Sequence, residues 1–265
     1  MTAELLPVAR EAVAIAHHVI RSRAPATITA KGDRDLVTDI DLAVEDEVRG
    51  FLERETPEIG ILGEEHGHTG RTDGHWWALD PIDGTANFAR GIPLCGVSLA
   101  LVSGDRAVVA AIDLPFLGVR YTAAEGEGAY AGDELIAVST AQELSDAIVS
   151  VGDFATGPGA EARNNVRLAL LARLGAHAQR IRMLGTAAID LAWVAEGKLD
   201  ATVILANLPW DTMAGVLLVR EAGGVVLDVD DTEHTTASAA TIAVGAALRP
   251  KLMALLREST VDAFR

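Results

Sequence analysis

The sequence predicts an α/β chain built in two parts. The first 140 residues contain two amphipathic helical patterns, followed by apolar runs separated by turn residues, which is typical of a meander of antiparallel strands. Beyond that point helical and strand patterns alternate, as they do in an α/β unit. With 265 residues, 49% of them hydrophobic, the chain can bury a sizeable core. We therefore predict two domains, residues 1–140 and 141–265.

The elements of the first part follow from the spacing of apolar residues. A period of three and four predicts helices at residues 2–23 and 38–55, the second opened by a polar cap. Asp39 is expected to be an N-terminal cap of this second helix. Shorter apolar runs predict strands at residues 59–62, 76–79, 95–102, 107–113 and 118–123.

In the second part, strands and helices are predicted in turn. Strands are predicted at residues 148–151, 181–183, 201–205, 225–229 and 241–244. Helices are predicted at residues 164–174, 187–195, 212–222 and 250–257. The Gly-Pro-Gly segment at residues 157–159 is expected to form a surface loop.

The strongest chemical signal lies where an apolar strand runs into Asp80 and Asp83. Two carboxylates about 4 Å apart repel by roughly 4 kcal/mol at an effective dielectric constant near 20. A hard divalent cation relieves this repulsion, and the Ile82 carbonyl could add a further oxygen ligand. Gly84 and Thr85 then allow a turn whose N–H groups bind an anion at a helix N-terminus. For the dipeptides alone, an ordinary Asp-Pro turn with an Asp-Gly cap is the alternative.

The segment at residues 80–85, DPIDGT, resembles the signature of the inositol monophosphatase family of metal-dependent phosphatases. The resemblance covers nearly the whole chain, from Lys31 to the stretch at residues 243–256. It implies a layered αβαβα sandwich of the inositol monophosphatase and fructose-1,6-bisphosphatase type. Other segments that resemble the family, in the same order, are DLVTDID at residues 35–41, GEE at 63–65, GTAA at 185–188, WD at 210–211 and EAGG at 221–224.

The resemblance implies a centre of two to three Mg²⁺ ions. Glu64 and Asp80, together with the Ile82 carbonyl, would hold the first ion. Asp80, Asp83 and Asp211 would hold a second ion, with Asp211 contributed by the other predicted domain. Ions held in this way stabilise the attacking and leaving oxygens of an in-line phosphoryl displacement.

The resemblance also implies catalytic and substrate-binding residues. Glu64 is implied to be catalytic through the water that attacks phosphorus, and Thr85 and Asp41 would activate that water, the carboxylate accepting a proton through the hydroxyl. The implied substrate-binding residues are Asp83, Gly84, Thr85, Gly185, Thr186, Ala187 and Asp211.

Three further residues are candidate accessory groups. Lys31 resembles a lysine on a loop beside the metal site, although an exposed loop lysine is the alternative. Glu65 either orients the metal ligands or is a surface charge. Arg182 resembles an arginine that supports the pocket or a dimer contact.

One departure from the family pattern concerns the substrate. In the animal enzymes a glutamate seven residues before the aspartate of the Trp-Asp pair contacts a sugar hydroxyl, and here Ile204 holds that place. A hydrogen bond to a charged group contributes about 1.5–3 kcal/mol. Its loss therefore changes the relative activity toward different substrates by about tenfold or more. The resemblance therefore implies metal-dependent hydrolysis of inositol monophosphate, with specificity open.

Several functions stay open on the sequence alone. The same chemistry could act on histidinol phosphate, the 2′-phosphate of NADP, fructose 1,6-bisphosphate or 3′-phosphoadenosine 5′-phosphate. Some bacterial members of the family also bind the transcription machinery as regulators. A structural Ca²⁺ protein is disfavoured, because no EF-hand spacing is present.

Net charge and cysteine content limit the classes of binding partner and the cellular compartment that we expect. A net charge of −16 argues against nucleic acid and anionic membranes, although bound metal ions still permit a small phosphorylated substrate. The single cysteine, Cys95, suits a reducing cytosol and is expected to be a buried thiol. No secretory signal or membrane span is evident, so we predict a cytoplasmic protein, and the family resemblance implies a homodimer.

Overall fold

Five alternating layers of helices and sheets make up the fold of the computed structural model, which describes residues 3–32, 35–71 and 74–263. The predicted layered αβαβα sandwich is confirmed. Residue 2, at the start of the first predicted helix, lies outside the described residues. None of the helices in the described ranges is long and apolar enough to cross a membrane.

Seven α-helices occur in the described residues, together with short 3-10 turns at Ala3–Leu5 and Leu144–Asp146. The helices are α1 Leu6–Ser22, α2 Asp39–Glu55, α3 Thr85–Ala89, α4 Ala160–His177, α5 Ala187–Ala195, α6 Pro209–Glu221 and α7 Arg249–Ala263.

Fifteen strands form three sheets in the same part of the chain. The strands are β1 Ile28–Gly32, β2 Asp35–Thr38, β3 Gly60–Gly63, β4 Gly67–Thr69, β5 His75–Asp83, β6 Gly96–Ser103, β7 Arg106–Leu114, β8 Val119–Ala124, β9 Ala129–Ala131, β10 Glu134–Leu135, β11 Ile148–Val151, β12 Arg180–Arg182, β13 Ala201–Ile204, β14 Val225–Leu227 and β15 Thr241–Val244. β1 and β2 pair alone, β10-β9-β8-β7-β6-β5-β3-β4 form an eight-stranded sheet, and β12-β11-β13-β15-β14 form a five-stranded sheet.

The eight-stranded sheet is covered by helices on both faces. Successive side chains of a strand point to opposite faces, and β5 accordingly sends Trp77 and Leu79 toward α1 and α2. Trp76 and Ala78 of the same strand pack on the opposite side, against α5 and α6. This double burial explains why β5 to β7 are apolar along nearly their whole length.

Helices α5 and α6 form the central layer of the sandwich. They pack on the eight-stranded sheet and also contact the five-stranded sheet through β13, β14 and β15. The outer face of the five-stranded sheet is covered by α4 and α7. The two sheets therefore share one helical layer, and the division into two domains near residue 140 stays a prediction.

The antiparallel meander predicted for residues 95–102, 107–113 and 118–123 is confirmed as β6 to β8, and β3 and β5 are parallel neighbours. β4 pairs antiparallel with β3 on the other side, so β3 lies between β4 and β5. The short pairs β1–β2 and β9–β10 were not predicted, since their strands are two to five residues long and carry no clear alternation.

The expectation that Asp39 caps α2 is wrong. The N-cap is Thr38, whose Oγ1 accepts hydrogen bonds from the Ile40 N–H at 3.2 Å and the Asp41 N–H at 3.4 Å. Asp39 instead accepts bonds from the N–H groups of residues 26 and 27, at 2.9 and 3.0 Å. Asp39 thereby holds the segment that leads into β1.

Close packing of α5 on α6 leads to a prediction about two glycines. A Cβ atom at Gly215 would lie 2.3 Å from the Leu191 Cβ, whereas a Cβ atom at Gly175 on α4 would meet nothing within 4 Å. We expect Gly215→Ala to lower the free energy of unfolding by about 1–3 kcal/mol through overpacking. Gly175→Ala should raise it by about 0.5–1 kcal/mol through helix propensity. Urea denaturation measures both, and equal effects at the two sites would contradict this account of the central layer.

Candidate active site

The parallel pairing of β3 with β5 brings two predicted metal ligands together. Gly63 is the register partner of Leu79, so the next residues, Glu64 and Asp80, lie side by side. The Glu64 N–H donates to the Leu79 carbonyl at 3.2 Å and continues the ladder by one step. Asp80 is 1% exposed, and its Oδ1 accepts from the Ile82 N–H at 2.9 Å.

The third carboxylate comes from the central helical layer. Asp211 lies in the first turn of α6, which starts with Pro209 at a position where the missing N–H costs nothing. Carboxylate oxygens of Glu64, Asp80 and Asp211 all lie within 4.8 Å of one another. Residues 64, 80 and 211 thus converge from three elements, and the division of metal ligands that the resemblance implies stays a prediction.

The electrostatics of this cluster are those of crowded acids. Burial raises the pKa of Asp80 well above its ordinary value, and the negative charge of Glu64 raises it further. Burial likewise raises the pKa of Asp211, with repulsion from Asp83 and Glu64 as the next causes. A divalent cation would remove this repulsion, and carboxylate oxygens are its preferred ligands. The residues present therefore fit a hard divalent metal ion.

Asp83 lies beside the cluster but also binds the start of α5. Its Oδ2 accepts hydrogen bonds from Thr186 Oγ1 and from the Ala188 N–H, both at 2.5 Å. Thr186 is the N-cap of α5, so the carboxylate sits at a helix N-terminus. Burial raises the pKa of Asp83 to about 6, although these two hydrogen bonds lower it. The structure thus places Asp83 between the carboxylate cluster and the predicted substrate turn.

Gly84 requires the absence of a side chain for two reasons. Its φ is 88°, in the left-handed region, and a Cβ atom would lie 2.9 Å from the Leu94 carbonyl oxygen and 3.3 Å from that of Gly185. Asn87 on α3 holds the same two segments, because its Nδ2 donates to the carbonyls of Leu94 and Leu184, each at 2.8 Å. The two predicted phosphate and substrate turns are therefore in direct contact.

The predicted catalytic pair is hydrogen-bonded. Thr85 Oγ1 lies 2.9 Å from Asp41 Oδ1 and 2.9 Å from the Ile82 carbonyl oxygen. On its other side, Asp41 Oδ2 accepts from the Thr38 N–H at 2.9 Å and from the Thr38 hydroxyl. Burial raises the pKa of Asp41, while its hydrogen bonds from Thr38 and Thr85 lower it. The carboxylate is thus held in one orientation toward Thr85.

Lys31 and Glu65 both lie at the edge of the carboxylate cluster. Lys31 Nζ is 2.7 Å from Glu64 Oε1 and 2.8 Å from Glu65 Oε1. Lys31 is carried by β1 rather than by the expected loop. Burial lowers the pKa of Lys31, but the hydrogen bonds that it donates to both glutamates, together with their negative charges, outweigh this and raise it overall. Lys31 therefore links Glu65 to Glu64, and an orienting role of Glu65 stays a prediction.

Glu45 is a supporting residue that the sequence analysis missed. It is fully buried on α2 and accepts hydrogen bonds from the N–H groups of Glu65 at 2.8 Å and His66 at 3.1 Å. Arg49 Nε donates to the same carboxylate at 2.8 Å. Glu45 thereby fixes the turn that carries Glu64. The available signal was a Glu–Arg pair at i, i+4 on the apolar face of a predicted helix.

A cleft of about 320 Å³ opens beside Asp83 and Asp211. It is lined by residues of the predicted substrate turn and by Ile204, the residue at which this chain departs from the family pattern. The remaining lining comes from segments 152–156 and 204–206, the side chains of Arg163 and Arg167 on α4, and Asp190 on α5. The sequence analysis missed the last three residues, which carry no motif of their own.

Arg182 is not brought into this cleft. It lies on the edge strand β12, its side chain is exposed, and its Nη1 donates to the neighbouring Ile181 carbonyl at 2.9 Å. The position of Arg182 therefore does not support a role beside the pocket.

Cys95, expected to be buried, is fully buried, and burial raises the pKa of its thiol to about 12.

The layered fold, with a carboxylate cluster beside a glycine turn, defines a metal-dependent phosphatase. The chain belongs to the inositol monophosphatase family, whose family model matches residues 1–261.

Three relatives illustrate the similarity. The probable inositol 1-monophosphatase ImpA of Mycobacterium tuberculosis is 38% identical over 87% of this chain and 84% of its own length. The Nus factor SuhB of Xylella fastidiosa is 37% identical over 76% of this chain and 72% of its own length. The solved structure of the inositol monophosphatase from Anabaena has a TM-score of 0.86 and 32% identity, and the match covers 97% of this chain and 96% of that one.

The raised pKa of Asp83 makes the stability of the metal-free protein depend on pH. The ordinary value of 3.8 rises to about 6 on folding, so the folded state binds more protons between these values. This contribution to the free energy of unfolding is present below pH 3.8 and lost as the pH rises through about 6. Asp83→Asn should abolish this contribution. The decrease in the free energy of unfolding between pH 3.8 and about pH 6 should then be smaller by up to about 3 kcal/mol than in the wild type.

Urea denaturation of the metal-free protein at a series of pH values measures this effect. The exposed Asp133, in the turn between β9 and β10, provides the matched control Asp133→Asn. If both variants follow the wild-type pH dependence, the interpretation of Asp83 is wrong.

Proposed function

We propose that this protein is a Mg²⁺-dependent phosphomonoesterase that hydrolyses inositol monophosphate to inositol and phosphate. The observation that carries the proposal is the convergence of Glu64, Asp80 and Asp211 within 4.8 Å, beside a cleft that Asp211 lines. Membership of the inositol monophosphatase family supports the same activity. The name of the Mycobacterium tuberculosis relative supports the same substrate.

In this proposal two to three Mg²⁺ ions supply Lewis-acid stabilisation of the phosphoryl oxygens when bound. Glu64, Asp80 and the Ile82 carbonyl would hold one ion. Asp80, Asp83 and Asp211 would hold another, with Asp83 using the oxygen that does not accept from Thr186 and Ala188.

Thr85 and Asp41 provide a route for the proton of the attacking water. The Thr85 hydroxyl accepts that proton as it passes its own to Asp41 Oδ1, at 2.9 Å. Burial raises the basicity of Asp41 above that of an exposed aspartate. General-base assistance of this kind contributes about 10²–10⁴-fold to the rate.

The substrate is held by two turns in this proposal. The N–H groups of Gly84 and Thr85 bind phosphate oxygens at the start of α3. Gly185, Thr186 and Ala187 line the part of the cleft that receives the alcohol. The contact of Asn87 with both segments keeps the two turns at a constant separation.

The apolar side chain of Ile204 leaves the identity of the substrate alcohol open, so other small phosphate esters are alternative substrates. It lies in the cleft and packs on Gly152, where a Cβ atom would come within 3.3 Å of the Ile204 Cγ2. An apolar side chain cannot make the sugar contact that the resemblance assigns to this position. Histidinol phosphate, the 2′-phosphate of NADP, fructose 1,6-bisphosphate and 3′-phosphoadenosine 5′-phosphate are therefore the alternatives.

A regulatory role is a second candidate function. It is favoured by the similarity to the Xylella fastidiosa relative that carries the name Nus factor SuhB. Such a protein would bind the transcription machinery through its surface, while the carboxylate cluster retains its catalytic use.

We further propose a cytoplasmic homodimer. The buried, unreactive thiol of Cys95 is compatible with a reducing compartment. The exposed position of Arg182 on an edge strand suits the dimer contact that the resemblance suggested for it better than a role in the pocket. Two domains that meet near residue 140, with Asp211 contributed by the second, complete the proposed organisation.

Phosphate release from inositol 1-phosphate, measured colorimetrically with and without Mg²⁺, tests the proposed activity. We expect phosphate release to depend on Mg²⁺. The variants Asp80→Asn and Asp211→Asn should each reduce this release below detection, because each substitution removes a charged ligand. Asp133→Asn is the matched control, because Asp133 is exposed at the β10 edge of the eight-stranded sheet and lies outside the site. Release without Mg²⁺, or undiminished release by the Asp80→Asn variant, would contradict the proposal.

Ile204→Glu tests the account of specificity. We expect the ratio of kcat/KM for inositol 1-phosphate to that for other phosphate esters to rise by about tenfold, the value of one charge-assisted hydrogen bond. The measurement is a panel of phosphate esters at fixed Mg²⁺ concentration. An unchanged ranking of substrates would show that position 204 does not select the alcohol.

A further inference from the structure

The floor of the cleft contains a buried polar cluster that the proposed function does not use. This floor cluster consists of Asp190 on α5, Ser150 on β11 and Thr202 on β13. All three side chains are at most 1% exposed. Asp190 also lines the cleft, so the cluster reaches the space that receives the substrate.

The topology explains how these residues meet. Ser150 and Thr202 are register partners on parallel strands, so their side chains share one face of the five-stranded sheet. The neighbouring residues Val149 and Val203 pack on the outer face against α4 and α7, so residues 150 and 202 face α5. Ile204, two residues after Thr202, continues the same face into the cleft.

Unused hydrogen-bonding capacity is concentrated in this cluster. Among the described residues, four buried side-chain atoms have no hydrogen-bond partner, and three of them are Ser150 Oγ, Asp190 Oδ1 and Thr202 Oγ1. An unpaired buried polar group costs about 1–3 kcal/mol, so native proteins retain such groups when a ligand or another function uses them.

Two other polar side chains that line the cleft are already engaged. The Thr186 hydroxyl donates to Asp83. The Arg167 guanidinium donates to the backbone carbonyls of residues 153, 163 and 205. At Ile204 the cleft wall is apolar. Of the three residues of the floor cluster, Asp190 is the one that lines the cleft, so it is the one placed to pair with a polar group of the substrate.

We propose that the Asp190 carboxyl group binds a hydroxyl group of the substrate alcohol and thereby selects phosphate esters of polyhydroxylated alcohols. This contact supplies from α5 the polar interaction that position 204 on β13 cannot make. The inference rests on the proposed phosphatase activity and names the residue that recognises its alcohol.

The protonation state of Asp190 suits this contact. Its pKa is raised to about 8, mainly by burial and also by the negative charges of Asp83 and Asp153, while the neighbouring Ser150 hydroxyl lowers it. At neutral pH the group is a carboxylic acid, which both donates and accepts a hydrogen bond. A neutral acid also adds no repulsion toward the phosphate group of the substrate.

A pair of matched substrates tests the proposal. Inositol 1-phosphate and cyclohexyl phosphate share a six-membered ring, but the second has no free hydroxyl groups. We expect Asp190→Leu, which keeps the size and removes the hydrogen bond, to lower the ratio of kcat/KM for inositol 1-phosphate to that for cyclohexyl phosphate by about tenfold. Asp190→Asn, which still donates and accepts, should restore most of that ratio.

Thr202→Val is the control for a purely structural effect. It changes the same buried cluster behind the cleft, and Thr202 does not line the cleft, so the ratio should stay as in the wild type. If Asp190→Leu does not fold, wild-type enzyme with singly deoxygenated inositol 1-phosphates gives an independent measurement. At least one deoxy analogue should lose about tenfold in kcat/KM.

The outcomes separate this inference from the proposed function. If the wild type hydrolyses both substrates with Mg²⁺ but Asp190→Leu leaves their ratio unchanged, the inference is wrong and the phosphatase activity stands. Loss of no more than about twofold with every deoxy analogue would also overturn it. If the wild type releases phosphate from neither substrate, the proposed function is wrong and the inference falls with it.

Discussion

Repulsion among buried carboxylates is the constraint on which the rest of this structure depends. Glu64, Asp80 and Asp211 come from two strands and a helix, and their oxygens lie within 4.8 Å of one another. Burial and mutual repulsion raise the pKa of Asp80 and of Asp211. Such an arrangement is stable when rigid elements hold it and when cations neutralise it. The parallel pair of β3 and β5 and the first turn of α6 supply that rigidity.

Buried polar contacts connect the layers at the site. Glu45 on α2 holds the turn that presents Glu64, and Asp83 at the end of β5 binds the N-terminus of α5. Asn87 fastens α3 to the segment before α5. Each contact satisfies a backbone N–H or carbonyl group at a turn or at the start of a helix. The site is therefore assembled by the same interactions that assemble the sandwich.

The predictions from the sequence succeeded where the signal is local. The α1 and α2 patterns and the strands β5 to β8 repeat with periods that specify helix and strand. The residues of DPIDGT that carry chemistry were correctly placed at a strand end. The parallel pairing of β3, the role of Thr38 as the cap of α2 and the position of Lys31 on a strand were missed or wrong. These features depend on neighbours that no spacing pattern records.

The sequence by itself determined which side chains could hold a cation and which turn must lack a side chain, because residue type and short spacing decide those properties. The family resemblance implied that Asp211 joins Asp80, but only the tertiary structure decided how closely Asp211 approaches Glu64 and Asp80, that Asp83 binds the start of α5, and that Asp190 reaches the cleft floor. The physical reason is that burial and convergence are set by packing between elements far apart in the chain, and local periodicity carries no information about that packing.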